Sequence, residues 1–291
     1  MAKRKRPFQS GQPIRAASTA PAGGPAAGRA RTGETGPGPS GAGPAYWIYG
    51  THAVHAALAN PRRRIRRLLM ARETVAGPRP PGPPQVQAEI VERTALDRAV
   101  PAGAVHQGIA VLVEPLEELD LDEVLDGLAG AQSATILLLD QVTDPQNIGA
   151  VMRSAAALGA AAVIVPRHHA PQVTGALAKA ASGALEHVAL VRVGNIAQAI
   201  ERLKESRFWC VALEGEAGQD LAAVDLSGRV ALALGAEGPG LRRLTRERCD
   251  LAARLPTAGP IAHLNVSNAA AVALYECARQ RGAASKGGGT K

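Results

Sequence analysis

Uncharged hydrogen-bonding side chains are concentrated in the segment PIAHLNVSN, residues 260–268. Asn265 and Ser267 lie with His263 where a strand-like stretch, LAARLP, gives way to the alanine-rich AAAVALYECARQR. Asn and Ser side chains cap helix starts because they accept hydrogen bonds from free backbone N–H groups. The same groups could line a pocket for a small neutral or zwitterionic ligand. The segment alone is compatible with both roles.

A second candidate segment is LLLDQVTDPQNIGAVMRSAAALGA, residues 137–160. Asp144 followed by Pro145 is typical of a helix start and Gly159 of a helix end, so we assign these three to the helix alone. Arg153 differs, because the residues one turn before it are the small Gly149 and Ala150. Small neighbours would let a backbone or a ligand approach the guanidinium. The alternative is a surface arginine without a specific role.

The third candidate is ALGAEGPGL, residues 233–241. Its glycines, Gly235, Gly238 and Gly240, allow positive φ and close backbone approach to a ligand. Glu237 between them could hold the loop or bind a substrate hydroxyl. Neither the glycine triplet of dinucleotide-binding folds after the strand at 135–140 nor a GxxxxGK[ST] phosphate loop is present. Ordinary dinucleotide binding and P-loop NTPase chemistry are therefore disfavoured.

The segments around these loops predict an α/β fold with a mainly parallel sheet. Apolar runs of the kind buried on both faces of such a sheet occur at 135–140, 161–166, 187–193, 208–214 and 229–235. Helical patterns occur at 145–158, 172–182, 195–206 and 265–281. In the last of these, one apolar stripe with helical spacing consists of Val266, Ala269, Ala270, Ala273, Leu274 and Cys277. Ligands bind beyond the carboxyl ends of strands in open α/β sheets, so the three loops form the expected site.

A smaller α/β domain is predicted at 45–113. Strands are expected at YWIYG, IRRLLMA and GIAVLVEP, and helices at THAVHAALAN, with Thr51 as its cap, and at VQAEIVERTALDRAV, after the proline-rich break GPRPPGPPQ. The acidic stretch that follows predicts a linker at 114–133, and the second domain then spans 134–282. The Gly/Pro/Ala-rich residues 1–44 are expected to be a disordered basic tail, and 283–291 a flexible one.

Charge is distributed unevenly along the chain, whose net charge is +8. Residues 1–44 contain seven Lys or Arg and one Glu, and residues 45–113 contain nine basic and four acidic residues. A basic amino-terminal half suits a polyanionic partner such as nucleic acid. A solubilising charge pattern is the alternative.

The compartment is inferred from the cysteines and the first residues. Cys210, Cys249 and Cys277 have no CxxC spacing and number only three, which favours a reducing compartment, no structural zinc and buried thiols. MAKRKR lacks a signal peptide's apolar stretch, and no apolar run is long enough to span a membrane. We expect a cytoplasmic protein without membrane contact. A mitochondrial transit peptide or a nuclear signal in the leader is a minor alternative.

The three loops occur together in an order that resembles a known family. DQVTDPQNIGAVMRSAAALGA, LALGAEGPGLRRLTRERCD and LPTAGPIAHLNVSNAAAVALYE look like the three motifs of the SpoU (TrmH-like) class of SPOUT RNA methyltransferases. IYGTHAVHAAL and GAVHQGIAVLV further resemble the bacterial 23S rRNA (guanosine-2′-O)-methyltransferases. The resemblance covers residues 46–281.

This resemblance implies a carboxy-terminal catalytic domain with a deep trefoil knot, which periodicity does not predict because knots are rare. It implies S-adenosylmethionine as cofactor, no metal, a homodimer formed through the catalytic domains, and a small amino-terminal domain of the ribosomal protein L30e type that binds RNA. The basic RRRIRR at 62–67 fits that role. The implied reaction is methylation of the ribose 2′-hydroxyl of a guanosine in the P-loop of domain V of 23S rRNA.

The motif positions also imply roles for individual residues. Cofactor contacts are implied for Gly235, Gly238, Gly240, Leu255, Ile261 and Leu264. Polar or catalytic roles are implied for Asn147, Arg153, Glu237, His263, Asn265 and Ser267. Uncharged loops of this kind suit a cofactor that needs apolar cover and backbone hydrogen bonds.

Arg153 and His263 each have more than one possible role. The family assigns proton removal to the arginine at the position of Arg153, but a guanidinium is effectively never deprotonated in proteins. We favour Arg153 as an electrostatic group that lowers the hydroxyl pKa and holds a phosphate, with the base role as the alternative. The family commonly has Ser at the position of His263. The imidazole could replace that hydroxyl or act as a base, or simply be tolerated in a loop.

Two other functions remain as alternatives. A related ribose methyltransferase could act on tRNA or another rRNA site. A degenerate RNA-binding protein would lack Arg153, Asn265 or the glycine loop, and this chain contains all three.

Overall fold

The computed structural model describes residues 44–75, 86–261 and 263–287. A four-stranded sheet in the order β1-β4-β2-β3 consists of β1 Tyr46–Tyr49, β2 Ile65–Ala71, β3 Ala88–Val91 and β4 Ile109–Val113. Strand β4 pairs antiparallel with β1 and β2, while β2 and β3 are parallel. Helices α1 (Thr51–Ala59) and α2 (Arg93–Ala99) and a 3-10 turn at Arg72–Thr74 complete this part of the chain. We call residues 44–113 the small unit.

A six-stranded sheet in the order β10-β8-β9-β5-β6-β7 follows. Its strands are β5 Ala134–Asp140, β6 Ala162–Pro166, β7 Ala189–Val193, β8 Trp209–Leu213, β9 Arg229–Gly235 and β10 Leu251–Ala253. Every neighbouring pair in this sheet is parallel, which confirms the predicted α/β fold with a mainly parallel sheet. We call residues 121–287 the large unit.

Helices accompany the strands of the large unit. They are α3 Leu121–Gly127, α4 Pro145–Ala157, α5 Gly175–Ala181, α6 Ile196–Glu205, α7 Arg243–Arg248 and α8 Val266–Gly287, with 3-10 turns at Ala184–Glu186 and Leu221–Ala223. Helix α8 buries the predicted apolar stripe, Ala269 only partly, and packs against α4 and β9. No helix among the described residues is long and apolar enough to cross a membrane.

The predicted boundaries of α4 are confirmed by its hydrogen bonds. The Asp144 side chain accepts a hydrogen bond from the backbone N–H of Gln146 at 2.9 Å, and Pro145 is the first helical residue. At the other end Gly159 has a φ of 73°, a left-handed conformation that glycine adopts readily. The local signals therefore mark both ends of this helix.

Several sequence-based predictions in the small unit and after it were wrong. Residues 88–91 of the predicted helix at 86–100 form β3, because pairing with β2 outweighs local helix propensity. Thr51 is not the cap of α1: Gly50 occupies that position with a φ of 89° and no side-chain hydrogen bond. The segment expected to be a linker contains α3, which begins with a capping box formed by Asp120 and Glu123.

The carboxy-terminal boundary of the large unit differs from the sequence-based prediction. Helix α8 runs to Gly287, beyond the boundary expected at 282. Apart from Pro44, the tail at 1–44 lies outside the described residues, as do most of the proline-rich break and residues 288–291.

Candidate active site

All three predicted loops begin at the same edge of the large sheet. The strands are parallel, so the carboxyl ends of β5, β9 and β10 point in one direction, and Asp140 at the end of β5 pairs with Gly235 at the end of β9. This edge is where open α/β sheets bind ligands. The topology therefore brings together segments that are far apart in the sequence.

The side chain of Asn265 joins these loops. Its Nδ2 donates to Glu237 Oε1 at 2.6 Å, in the loop after β9, and to Asn147 Oδ1 at 3.0 Å, in the first turn of α4. Its Oδ1 accepts from the backbone N–H of Ser267 at 2.9 Å and from Ser267 Oγ at 2.6 Å. We call Asn147, Glu237, Asn265 and Ser267 the polar cluster.

The partners of Asn265 fix the orientation of its amide. A carboxylate such as Glu237 only accepts, and a backbone N–H only donates, so the nitrogen must face Glu237 and the oxygen must face Ser267. Asn265 therefore caps α8 and links the loops with the same side chain. The Asn147 amide nitrogen and the second carboxylate oxygen of Glu237 have no protein partner among the described residues, which leaves both able to bind a ligand.

The glycine loop after β9 folds back on the strand that precedes it. Gly240 donates its N–H to Ala236 O at 3.0 Å. A Cβ on Gly235 would overlap the backbone of Gly240, so this position requires glycine. Gly238 and Gly240 have φ values of 86° and 69°, as the loop composition predicts. The tight return leaves Glu237 exposed at the tip beside Asn265.

Asp140 is a site residue that the sequence analysis missed. Its carboxylate is fully buried and accepts from the backbone N–H of Arg242 at 3.1 Å, from Arg242 Nε at 2.8 Å and from Thr245 Oγ1 at 2.7 Å. It therefore fixes the point where the glycine loop enters α7. The available signal was an acidic residue at the end of the otherwise apolar strand TILLLD, since buried carboxylates are normally paired.

Apolar side chains lie around the uncharged loops. Ile261 is 77% exposed and Leu264 is 42% exposed, whereas Leu255 is partly buried against the core. Exposed branched side chains beside backbone donors and acceptors suit a ligand with an aromatic ring and a polar edge. The residues predicted for the cofactor thus have the chemical character that S-adenosylmethionine requires.

Among the described residues, neither Arg153 nor His263 forms a hydrogen bond or an ion pair with the polar cluster. Arg153 is exposed on α4 and has no hydrogen-bond or ion-pair partner among the described residues. The small Gly149 one turn earlier serves packing, because a Cβ there would lie 2.6 Å from Leu177 O of α5. The exposed His263 instead lies near Gly215, its Nδ1 3.4 Å from where a Cβ on that glycine would be.

Comparisons with known proteins identify the family to which this chain is similar. A profile described as the SpoU rRNA Methylase family matches residues 134–275. The 23S rRNA (guanosine-2'-O-)-methyltransferase RlmB of Vibrio vulnificus is 40% identical over 241 residues, covering 81% of this chain and 97% of that protein. RlmB of Escherichia coli K12 is 40% identical over 242 residues, covering 80% of this chain and 98% of that protein.

Solved structures extend the similarity to the fold. The SpoU methyltransferase AviRb from Streptomyces viridochromogenes is 25% identical, with a TM-score of 0.67 over 82% of this chain and 91% of that one. Its complex with the cofactor AdoMet also has a TM-score of 0.67. With this identity to RlmB over most of both chains, and with the motif residues of three loops assembled at one sheet edge, the chain belongs to the SpoU rRNA methylase family.

Proposed function

We propose that this protein uses S-adenosylmethionine to methylate the ribose 2′-hydroxyl of a guanosine in 23S rRNA, in the P-loop of domain V. The observation that carries the proposal is the polar cluster, in which Asn265 connects the loops of all three family motifs. RlmB relatives matched over nearly their whole length support 23S rRNA as the substrate. The domain V guanosine rests on the amino-terminal sequence resemblance.

The loops after β9 and β10 would hold the cofactor. Backbone groups of Gly235, Gly238 and Gly240 supply hydrogen bonds, and Leu255, Ile261 and Leu264 supply apolar cover. When bound, S-adenosylmethionine supplies an electrophilic methyl group on a positively charged sulfur. The uncompensated carboxylate oxygen of Glu237 favours such a cation at this edge.

The remaining residues position the ribose. Because the chemistry of methyl transfer depends on orientation, rigid placement of the hydroxyl is the main requirement. Asn147 has free amide hydrogens that can bind a ribose or phosphate oxygen. Arg153, exposed and unpaired among the described residues, is available to hold the neighbouring phosphate and to stabilise negative charge on the hydroxyl oxygen. His263 and Arg153 are the two candidates for the general base.

We infer a homodimer that includes α8. This helix exposes Val272 and Tyr275, which are 46% and 60% exposed and lie one turn apart. Exposed apolar side chains one turn apart on a helix favour burial against another copy. The sedimentation of wild type and a Tyr275→Asp variant tests this, with monomerisation of the variant expected.

Three further proposals follow from the family. The segments after β9 and β10 form a trefoil knot, the small unit is an L30e-like RNA-binding domain, and the protein works in the cytoplasm where ribosomes are assembled. The exposed Arg62, Arg64, Arg66 and Arg67 support RNA binding by the small unit, although Glu114 and Glu89 partly compensate them.

Mapping of ribose methylation is the decisive experiment. Total rRNA and tRNA from strains with and without the gene are compared by primer-extension stops at low dNTP, and a domain V transcript is methylated in vitro with labelled cofactor. We expect one 2′-O-methylguanosine in domain V to vanish on deletion and return on complementation. Loss of a tRNA mark instead would assign the protein to tRNA. Unchanged methylation with retained RNA binding would identify a degenerate RNA-binding protein.

A further inference from the structure

A buried ion pair joins the small and large units. Arg63, between α1 and β2, donates from Nη2 to Glu186 Oε1 at 2.5 Å and from Nε to Glu186 Oε2 at 3.2 Å. The two side chains are 1% and 2% exposed. Asn60 Nδ2 also donates to Glu186 Oε2 at 2.7 Å, and Arg63 Nη1 donates to Tyr46 OH and Glu114 O at 3.3 and 3.0 Å. Every nitrogen of this guanidinium therefore has a partner.

The residues before Glu186 follow the surface of the small unit closely. Gly175 lies against Trp47 O and the Tyr49 ring, with no room for a side chain. A Cβ on Gly183, whose φ is 98°, would lie only 2.6 Å from Ala56 Cβ. The segment 175–186 thus approaches the small unit at glycines spaced eight residues apart.

A second polar contact lies between these glycines. Lys179 Nζ donates to Gln107 Oε1 at 3.0 Å, and the same oxygen accepts from the backbone N–H of Thr51 at 3.0 Å. Burial lowers the pKa of Lys179, consistent with its position between the units. Gln107 has a φ of 57° and lies in the turn that precedes β4. We call the contacts of Gly175, Lys179, Gly183 and Glu186 the docking strip.

The docking strip is connected to the candidate active site through two helices. Helix α5 carries Gly175 and Lys179, and it packs on α4 at Gly149, where a Cβ would lie 2.6 Å from Leu177 O. Helix α4 in turn carries Asn147 of the polar cluster in its first turn. A displacement of the docking strip would therefore change where the small unit stands relative to this cluster.

A buried ion pair is well suited to fixing an orientation. Desolvation offsets most of its Coulombic attraction, so it contributes little net stability compared with apolar packing, yet it tolerates few alternative geometries. Apolar surfaces can slide over one another, whereas Arg63 and Glu186 satisfy their hydrogen bonds in one arrangement. If only one partner is changed, a charge remains buried without compensation.

We propose that Glu186 is a positioning residue, which holds the small unit in one orientation so that RNA gripped by its basic surface reaches the polar cluster. This rests on the proposed function, because it assumes that the small unit binds the substrate RNA. Without the polar contacts of the docking strip, the units remain joined by the chain at 114–120 and by apolar contacts, since Ile48 and Val54 belong to the same buried cluster as Leu177 and Ala181. These apolar contacts allow a range of orientations, and the effective concentration of the target ribose at the site falls.

The first test measures orientation without catalysis. Spin labels on Arg98→Cys and Gln198→Cys, both exposed positions, report the distance between the units in the otherwise complete chain. We expect a narrow distance distribution, and a broad one after Glu186→Gln. The matched control is Asp122→Asn, which breaks the exposed 2.6 Å pair with Arg202 inside the large unit and should leave the distribution narrow. A narrow distribution in Glu186→Gln would overturn the proposal.

The second test separates positioning from general damage. Glu186→Gln should raise KM for a domain V transcript about tenfold or more, while kcat and the calorimetric affinity for S-adenosylmethionine stay within about threefold of wild type. Unchanged KM, or a joint fall of kcat and cofactor affinity, would refute the positioning role. Lys179→Met is the milder second variant should Glu186→Gln not fold, and it should raise KM in the same direction. If the wild-type protein showed no methyl transfer but a narrow distance distribution, that result would refute the proposed function and not the fixed orientation of the units.

Discussion

Replacing Asn265 by Asp tests the polar cluster, because it exchanges only the amide nitrogen for a carboxylate oxygen. The aspartate can still accept the hydrogen bonds of Ser267 at the start of α8, and Asp caps helices as well as Asn does. The donor at the Nδ2 position is lost. In its place a carboxylate oxygen faces Glu237 Oε1 and Asn147 Oδ1. In the wild-type protein these two oxygens lie 2.6 Å and 3.0 Å from the Asn265 nitrogen. The loop after β9 therefore loses its connection to position 265, whereas Asn147 can rotate its amide and donate to the new carboxylate, and the helix keeps its cap.

The magnitude follows from the bonds that disappear. A hydrogen bond to a neutral partner contributes about 0.5–1.5 kcal/mol and one to a charged partner about 1.5–3 kcal/mol. Because Asn265 is exposed and only its bond to the charged Glu237 cannot be replaced, we take the lower end for that bond, about 1.5 kcal/mol. About 1.4 kcal/mol corresponds to a factor of ten, so if the whole loss appears in the transition state, kcat/KM falls roughly tenfold. Repulsion between the two carboxylates adds to this loss.

The assay is transfer of labelled methyl groups to a domain V transcript, with thermal unfolding measured in parallel. Asn195→Asp is the matched control, because Asn195 caps α6 by accepting from Ala197 and Gln198 and lies outside the polar cluster. We expect near-wild-type activity and Tm for this control, and for Asn265→Asp a Tm lowered by about 3–6 °C, since 1 kcal/mol corresponds to about 2–4 °C in a domain of this size. Acidification should partly restore Asn265→Asp, since one proton shared by the carboxylates recreates a donor. Equal activity of both variants within twofold would refute the reasoning.

Four further predictions concern single groups. Arg153→Ala should lower kcat by about 10²-fold or more while S-adenosylmethionine still binds by calorimetry, and near-normal turnover would contradict its electrostatic role. His263→Ser should retain activity within about threefold if the imidazole is only tolerated; a large loss of rate would show that it takes part. Gly235→Ala should weaken cofactor binding at least about tenfold in calorimetry, because the glycine loop cannot close over a methyl group. Burial raises the pKa of Cys249 to about 12 and that of Cys277 to about 11, so neither thiol should react with Ellman's reagent at pH 8 unless the protein unfolds. The unfolded chain loses these protons first, and the free energy of unfolding measured with urea should therefore fall as pH rises from about 9 towards these values.

Local signals explain why much of the large unit could be predicted. The strands β5, β6 and β9 consist mainly of apolar residues that are almost fully buried, and such runs leave few alternatives to a central parallel strand. Helix α4 is bounded by Asp144, Pro145 and Gly159, whose conformational preferences act over a few residues. Neither feature depends on where distant parts of the chain lie.

The contacts that could not be predicted join residues far apart in sequence. Asn265 and Asn147 are separated by 118 positions, and Arg63 and Glu186 by 123. Residue types at these positions indicate capping or solvation equally well, because pairing depends on register and packing. Gly149 could not be interpreted from the sequence for the same reason. Its small size allows the close contact with α5, not the approach of a ligand to Arg153. The motif resemblance placed Asn147 and Asn265 in one site, but it gave no geometry.

An amide at the centre of the polar cluster has an advantage that an ion pair would lack. Asn265 donates to a carboxylate and to an amide oxygen and accepts from a backbone N–H, all without a charge of its own. Lys or Arg at this position could join the same loops, but either would neutralise Glu237 and place a permanent positive charge beside a site that the family uses for a sulfonium cation. Asp or Glu could cap the helix but could not donate to Glu237. Capping and the proposed cofactor binding therefore favour the same uncharged residue at position 265, in keeping with a segment 260–268 that holds polar side chains with almost no charge.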